Sequence, residues 1–387
     1  MLPLAYPYII LLLLVAGGFL CLLRKWRAAL VAIAAALLLN ICAQVVPVHF
    51  GGSRGAEAGA GAAFPKSTAG EVADRPRRLR VMTFNILSGS GYFKEHREHP
   101  EEFVDFVTAQ GADVVTFQEF YGNRINRGLY DLMLEHYPYY VCQGYESQVC
   151  VFSRYPLAEY RDMVVDTSTA SGREFRQRHP KEYDRHRFVV SVTVRMPSDS
   201  VRLIACHLYS NHSSRPDSAD VPGPGGDAWK GSEFGRLTGR ALEYVRAIRE
   251  GVFVRGIEAR WVAGETQVWQ ARGVKVIVCG DFNDVAGSRA LRIMRHEGAL
   301  HNCWWEKGCG PGFTFIGYDP SADGRPDGEA ASAAEMSPGR RDASLVRSLM
   351  RLRLDHVLHS RDIHPEGIRV ATQGFSDHHP LVADFSY

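Results

Sequence analysis

Five polar clusters each close an apolar run in this 387-residue sequence: Thr83-Phe84-Asn85, Phe117-Gln118-Glu119, Cys206-His207-Leu208, Cys279-Gly280-Asp281-Phe282-Asn283-Asp284 and Ser376-Asp377-His378-His379-Pro380. A sixth, Arg353-Leu354-Asp355-His356, lies within an apolar segment. Carboxylates and imidazoles carried into apolar surroundings cost several kcal/mol each unless they are paired or bound to a metal. Their recurrence around one domain implies that they converge. The sequence has no CxxC pair for a thiolate zinc site.

Taken singly, each residue has a plainer reading. Asn85 could be a turn residue after a strand, Glu119 a helix-capping carboxylate, and His207 a hydrogen-bonded core histidine. Gly280-Asp281 and Ser376-Asp377 could be turn or cap pairs, and Asp355 a partner for a nearby arginine. Their combination in this order favours a site.

The elements that must hold these residues are short. Leu79–Ile86, Asp113–Gln118, Phe188–Arg195, Val201–His207, Val274–Cys279, Leu352–His359 and Leu381–Phe385 are β-branched or aromatic runs ending in polar residues, the pattern of strands. Tyr139–Cys142 and Val149–Phe152 read as a hairpin. Glu101–Ala109, Ile125–His136, Gly235–Arg249 and Ser288–His296 place apolar residues at helical spacing. This mixed order predicts two packed sheets with helices outside, not a strictly alternating parallel sheet. Residues 211–230 and 319–341, rich in Gly, Ser, Asp and Pro or Ala, read as long surface insertions.

The first 46 residues are of a different kind. Leu4–Leu23 carries no charge, and Ala28–Val46 is interrupted only by Asn40 and Gln44. Each run approaches the roughly 20 residues of a membrane-crossing helix. Arg24-Lys25-Trp26-Arg27 between them predicts a tight cytoplasmic turn, so everything after the hairpin would lie on the opposite, periplasmic side. A cleaved signal peptide would want a basic start, which Met1-Leu2-Pro3-Leu4 lacks; a re-entrant hairpin would instead leave the rest in the cytoplasm. Residues 47–78, rich in Gly and Ala, read as a flexible tether of roughly 30 Å reach, with the globular part starting near Leu79. Composition agrees with a folded domain, at 45% hydrophobic and 23% charged residues. A net charge of +2 from 45 basic and 43 acidic residues argues against a dedicated duplex-DNA binder. Cys142 with Cys150, and Cys303 with Cys309, are candidate local disulfides for an oxidising compartment, the second pair preferred.

From Leu79 to Tyr387 the order of these clusters resembles the endonuclease/exonuclease/phosphatase superfamily of metal-dependent phosphoesterases. Gly280-Asp281-Phe282-Asn283 and Ser376-Asp377-His378 carry most of the resemblance, supported by Gln118-Glu119, Ser153-Arg154-Tyr155-Pro156-Leu157 and Leu354-Asp355-His356. The resemblance implies an α/β four-layer sandwich of two mixed sheets flanked by helices. It implies that Glu119 is the main carboxylate ligand of Mg²⁺, with Mn²⁺ a substitute, Asn85 adjoining through its amide and Asp377 completing or flanking the site. Asp281 would orient or deprotonate the attacking water, Asn283 would donate to phosphoryl oxygens, His207 would contact the phosphate, and His378 held by Asp355 would form an acid/base dyad, a carboxylate on one imidazole nitrogen setting the tautomer and raising the basicity of the other. His356 and Asp284 match no catalytic position of the family. Two departures stand out: Asn85 is followed by Ile86-Leu87 with no second carboxylate, which argues against two metals, and the additional phosphate contact has only Tyr145, Arg187 and Arg236 as candidates. The expectation is a membrane-tethered hydrolase of a phosphodiester at or near the membrane, such as a phospholipid head group, with nucleic acid in that compartment left open and no obligate protein partner indicated. A nuclease, an inositol-phosphate phosphatase and an inactive membrane-anchored binding protein are the rivals.

Overall fold

The computed structural model describes residues 2–43, 45–46, 78–87, 100–120, 127–143, 149–163, 165–178, 189–210, 233–316, 351–372 and 375–387, with side chains left aside at 2–8, 42–43 and 233–245. The chain forms α1 (Leu2–Leu22), α2 (Trp26–Ala43), β1 (Arg78–Asn85), α3 (Pro100–Ala109), β2 (Val114–Gln118), α4 (Arg127–His136), β3 (Tyr139–Cys142), β4 (Val149–Ser153), β5 (Leu157–Asp162) and α5 (Ala170–Arg178). It continues through β6 (Val189–Arg195), β7 (Ser200–His207), α6 (Glu233–Gln270), β8 (Lys275–Asp281), α7 (Arg289–His296), β9 (His301–Asn302), α8 (Cys303–Lys307), β10 (Asp355–His359), β11 (His364–Val370) and β12 (Leu381–Ser386).

Alternation along the strands builds the layers. Two six-stranded sheets form, in the orders β11-β12-β1-β2-β4-β3 and β5-β6-β7-β8-β10-β9. In β1, Leu79 and Val81 face the second sheet while Met82 and Phe84 face outward. In β8, Ile277 and Cys279 face the first sheet while Val276 and Val278 face outward. Such a period of two puts an apolar row on each face of each sheet, so both outer faces must be covered. Phe103, Val104 and Val107 of α3 with Leu129 and Met133 of α4 cover the first. Val254, Ala259, Val262 and Ala263 of α6 with Leu291 and Met294 of α7 cover the second. Each fully buried Phe, Leu or Val in these rows contributes roughly 1.5–3 kcal/mol. The result is the expected two-sheet sandwich with helices outside.

The centre of each sheet is its parallel pair. β1 runs parallel to β2 and β7 parallel to β8, and the other strand pairs described are antiparallel. The C-terminal ends of all four central strands therefore carry polar residues outward from the middle of the sandwich. Gly280 sits at φ +142°, and an added Cβ would lie 1.9 Å from the Cys206 carbonyl oxygen on β7. Only glycine allows β8 to approach β7 this closely just before Asp281. On the helix side, the fully buried Arg202 of β7 donates to Glu265 of α6 at 3.1 Å and lies 4.2 Å from the Trp269 ring centre.

Several expectations are revised. The helix expected over Gly235–Arg249 extends to Gln270, through Gly251, Gly256 and Gly264, because packing on the second sheet outweighs glycine's helix penalty. The strand expected from Leu352 begins at Asp355. β11 carries Pro365 and a register shift before Gly367, features an edge strand tolerates and periodicity does not reveal. The disulfide is Cys142–Cys150, whose residues face each other across β3 and β4. The preferred Cys303–Cys309 pair is not formed: Cys303 is buried at the start of α8 and Cys309 is exposed beyond its end.

α1 and α2 form a hairpin joined at Leu23–Lys25, with Gly17 lying close to Ile33 and the Ala29 carbonyl. Among the described residues no helix is long and apolar enough to cross a membrane, so the membrane-spanning expectation is not carried by the structure. Gln44 in the second apolar run, the tether at 47–77 and the two insertions at 211–230 and 319–341 lie outside the described residues.

Replacing Gly280 with Ala should destabilise the fold by at least ~2 kcal/mol, from strain at positive φ together with the clash. Urea unfolding of the variant checks this; unchanged stability would contradict the close β7–β8 approach.

Candidate active site

Strand register brings the predicted residues together at one end of the sandwich. Asn85 ends β1, Glu119 follows β2, His207 ends β7 and Asp281 ends β8. In the ladder His207 lies beside Asp281, and Asp355, the first residue of antiparallel β10, lies opposite it. β12 pairs Leu381 with Thr83, so Asp377 and His378, just ahead of β12, fall beyond the end of β1.

Asp281 is the hub. Its Oδ1 accepts from the Asn283 backbone N–H at 2.8 Å, and its Oδ2 accepts from Asn85 Nδ2 at 3.0 Å. His207 Nε2 and His378 Nε2 each lie 3.8 Å from the same Oδ2. Asn85 Nδ2 also reaches Glu119 Oε1 at 3.2 Å, and His207 Nε2 is 3.7 Å from that atom. The Asn283 amide donates to the Leu208 carbonyl at 2.8 Å, leaving its second N–H for another acceptor. Glu119 and Asn283 both hold positive φ, +54° and +48°, outside regular strand geometry. Strain of this kind persists where surrounding contacts fix it.

His378 Nδ1 meets Asp355 Oδ2 at 2.8 Å with both residues buried. A short clip holds this dyad. The Thr314 hydroxyl accepts from the backbone N–H groups of Leu354 and Asp355, each at 3.1 Å, and Phe315 bridges to both Leu352 and His378. The Phe315 ring centre lies 5.2 Å from that of His378. Ser376 Oγ donates to the Asn85 carbonyl at 2.8 Å and accepts from the His378 N–H at 3.2 Å, tying the His378 turn to the end of β1.

Burial alone would depress the His378 imidazolium, but Asp355 and Asp281 together raise it well above its ordinary range. Burial pushes Asp355 up while His378 pulls it down. The direction that governs the dyad is that of His378, because two carboxylates face one imidazole. Asp377 is raised by burial and by the charges of Glu119 and Asp281, with His378 opposing. Negative charge is therefore in excess between Glu119, Asp281 and Asp377.

That excess and the all-oxygen donor set of Asn85, Glu119 and Asp377 fit a hard divalent cation. Asp281, Asp355 and His378 also place one donor atom each within 4.8 Å of one another. Their geometry favours the dyad, because the 2.8 Å hydrogen bond already occupies His378 Nδ1 and Asp355 Oδ2. Tyr145, Arg187 and the side chain of Arg236, the candidates for a further phosphate contact, lie outside the described residues. Sequence reasoning passed over Thr314 and Phe315 because Gly310-Pro311-Gly312-Phe313 shows no strand period. His356, which matches no catalytic position of the family, contacts the Asp284 carbonyl through Nε2 at 2.9 Å.

Fold and site together define a metal-dependent phosphoric ester hydrolase. The chain belongs to the Endonuclease/Exonuclease/phosphatase family, which it matches over residues 82–378. No curated protein matches it. Similar solved structures include an endonuclease/exonuclease/phosphatase family protein from Bacteroides thetaiotaomicron, at 13% identity and TM-score 0.49 over 81% of this chain and 96% of that one. TDP2 from C. elegans is 14% identical with TM-score 0.48, covering 81% and 77%. Sphingomyelinase C from Streptomyces griseocarneus is 19% identical with TM-score 0.46, covering 79% and 99%.

Burial first, and the Arg353 charge second, push the His356 imidazole from 6.5 down to about 3. The unfolded chain then binds a proton that the folded chain refuses. The stability this contributes is complete above pH 6.5 and is lost as pH falls toward 3. His356→Gln should remove about 1.4 kcal/mol per pH unit from the acid slope of unfolding free energy in that window. Urea titrations at several pH values test this; equal slopes for both proteins would contradict a neutral, buried His356.

Proposed function

We propose that the chain is a Mg²⁺-dependent phosphodiesterase held at a membrane, hydrolysing a phosphodiester, with a phospholipid head group as substrate. The observation that carries the phosphodiester reading is the Asp281 hub, with His207 and the His378–Asp355 dyad converging on one carboxylate oxygen. Asp281 takes a proton from the attacking water, and Asn283 donates its second N–H to a phosphoryl oxygen. His207 faces the same space as a donor. His378, kept protonated by Asp355, supplies a proton to the departing oxygen as the phosphorus–oxygen bond breaks. Glu119, Asp377 and Asn85 would hold Mg²⁺, with Mn²⁺ a substitute; the ion supplies charge neutralisation of the phosphoryl oxygens and a lowered water pKa. Asn85 Oδ1 accepts from the Leu87 N–H and keeps one lone pair for that task.

Two features support membrane attachment and the side of the membrane. Leu11, Leu12, Val15 and Phe19 on α1, and Leu30, Val31, Leu38 and Ile41 on α2, are all at least 60% exposed, an apolar surface that water does not favour. A hairpin apolar on its outer faces, with Arg24 and Lys25 at the turn, matches a membrane anchor with a cytoplasmic turn. The Cys142–Cys150 disulfide fits an oxidising compartment such as the periplasm. The division is then an anchor over 1–46, a tether over 47–78 and a catalytic domain over 79–387.

The test is hydrolysis by the full-length protein in mixed micelles, offered phospholipids, DNA, RNA and inositol phosphates with Mg²⁺. Phospholipid cleavage that EDTA abolishes, and that falls by about 10²–10⁴ in His378→Ala and at least as far in Asp281→Ala, is expected. Cleavage confined to nucleic acid or to inositol phosphates would replace the lipid assignment with a nuclease or a phosphatase. No turnover by a folded protein that binds no Mg²⁺ would favour an inactive binding protein.

A further inference from the structure

Arg255 of α6 is fully buried and joins the two segments that leave β7 and β8, beside His207 and Asn283. Its Nη1 donates to the Tyr209 carbonyl at 2.8 Å, in the segment leaving β7. Its Nε donates to Asp284 Oδ2 at 3.1 Å, in the segment leaving β8. One helical turn on, Glu258 Oε2 accepts from the Tyr209 N–H at 3.0 Å, so both sides of that residue's backbone are held by the same face of α6. The two loops are also joined to each other. The Leu208 N–H donates to the Asp281 carbonyl at 2.9 Å, and the Leu208 carbonyl accepts from the Asn283 amide at 2.8 Å. Asp284 is held from below as well, where the His356 ring contacts its carbonyl.

From this geometry we infer that Arg255 is a positioning residue that sets the direction of the free Asn283 N–H and the placement of His207, with Glu258 and Asp284 as its working partners. The chain of contacts is short. Arg255 fixes Tyr209, Tyr209 fixes the adjoining Leu208, and the Leu208 carbonyl takes one of the two Asn283 amide hydrogens. The other hydrogen is thereby aimed. Asn283 stands at φ +48°, a conformation that relaxes unless the flanking segment is gripped, and Asp284 is the next residue in the chain. A guanidinium suits the task because its planar fork spans two acceptors on different loops, which an ammonium cannot do in one fixed geometry. A misplacement of about 1 Å at a catalytic group can cost roughly 10²-fold in turnover while leaving ground-state binding nearly intact.

This inference rests on the phosphodiesterase reading for its kinetic consequence but not for its structural one, and the experiment separates them. Full-length wild type, Arg255→Met, Arg255→Lys, Asp284→Asn and Arg202→Met would be compared by hydrogen–deuterium exchange and by turnover of bis(p-nitrophenyl) phosphate with Mg²⁺. Arg202→Met is the control, since it removes another buried cation that contacts α6 and touches neither loop. Expected are faster exchange across residues 208–210 and 282–285 in both Arg255 variants, a kcat lower by about 10–100-fold and a KM within about twofold, with the control unchanged on each count per folded molecule. Asp284→Asn, nearly isosteric, should show the same split and serves if Arg255→Met does not fold. Unchanged exchange at both loops in a folded Arg255 variant would overturn the inference, as would an equal kcat loss in Arg202→Met. Wild type inactive on the phosphodiester would count against the phosphodiesterase reading alone, because the exchange data would still decide the clamp.

Discussion

Two carboxylates, Asp281 and Asp355, face each other at one register position of the β8–β10 ladder. Like charges directly across an antiparallel pair repel, and burial strengthens that repulsion. The arrangement holds because His378 lies between them, bonded to Asp355 and 3.8 Å from Asp281. Everything near the site serves that balance. Thr314 ties off the backbone N–H groups of Leu354 and Asp355, Ser376 ties the His378 turn to β1, and Asn85 spans from Asp281 to Glu119. One imidazolium offsets two carboxylates; Glu119 and Asp377 add further negative charge, and a divalent cation is the chemical complement.

The sandwich supplies the geometry without special loops. Parallel pairs at the centre of each sheet aim four strand ends at the same place, so two sheets stacked face to face bring Asn85, Glu119, His207 and Asp281 into one cluster. Gly280 sets how closely β8 approaches β7 there, and α6 braces the segments beyond the strands. The helix that covers the second sheet thus also holds the segments that leave β7 and β8.

Much of this was legible in sequence because strand ends announce themselves. A β-branched run broken by Asn, Glu, His or Gly-Asp marks both an element and the side chain it delivers, and β1, β2, β7 and β8 fall within a residue or two of their expected spans. Convergence was an inference from the cost of burying charge. What escaped depends on tertiary pairing: the Thr314–Phe315 clip has no periodicity of its own, β11 hides behind a bulge and a proline, and the length of α6 is set by the sheet it covers. The choice between two disulfides likewise turned on strand register, which cysteine spacing does not encode.

The central claim is that the carboxylates at the sheet ends hold one hard divalent cation beside an acid/base dyad, not within it. Electron paramagnetic resonance of Mn²⁺ added to the full-length protein tests this directly, using Glu119→Gln and His378→Ala. The account predicts one bound Mn²⁺ per chain, displaced by Mg²⁺, lost in Glu119→Gln and retained in His378→Ala. Binding retained in Glu119→Gln and lost in His378→Ala would place the ion among Asp281, Asp355 and His378 and contradict the account, as would no bound Mn²⁺ at all.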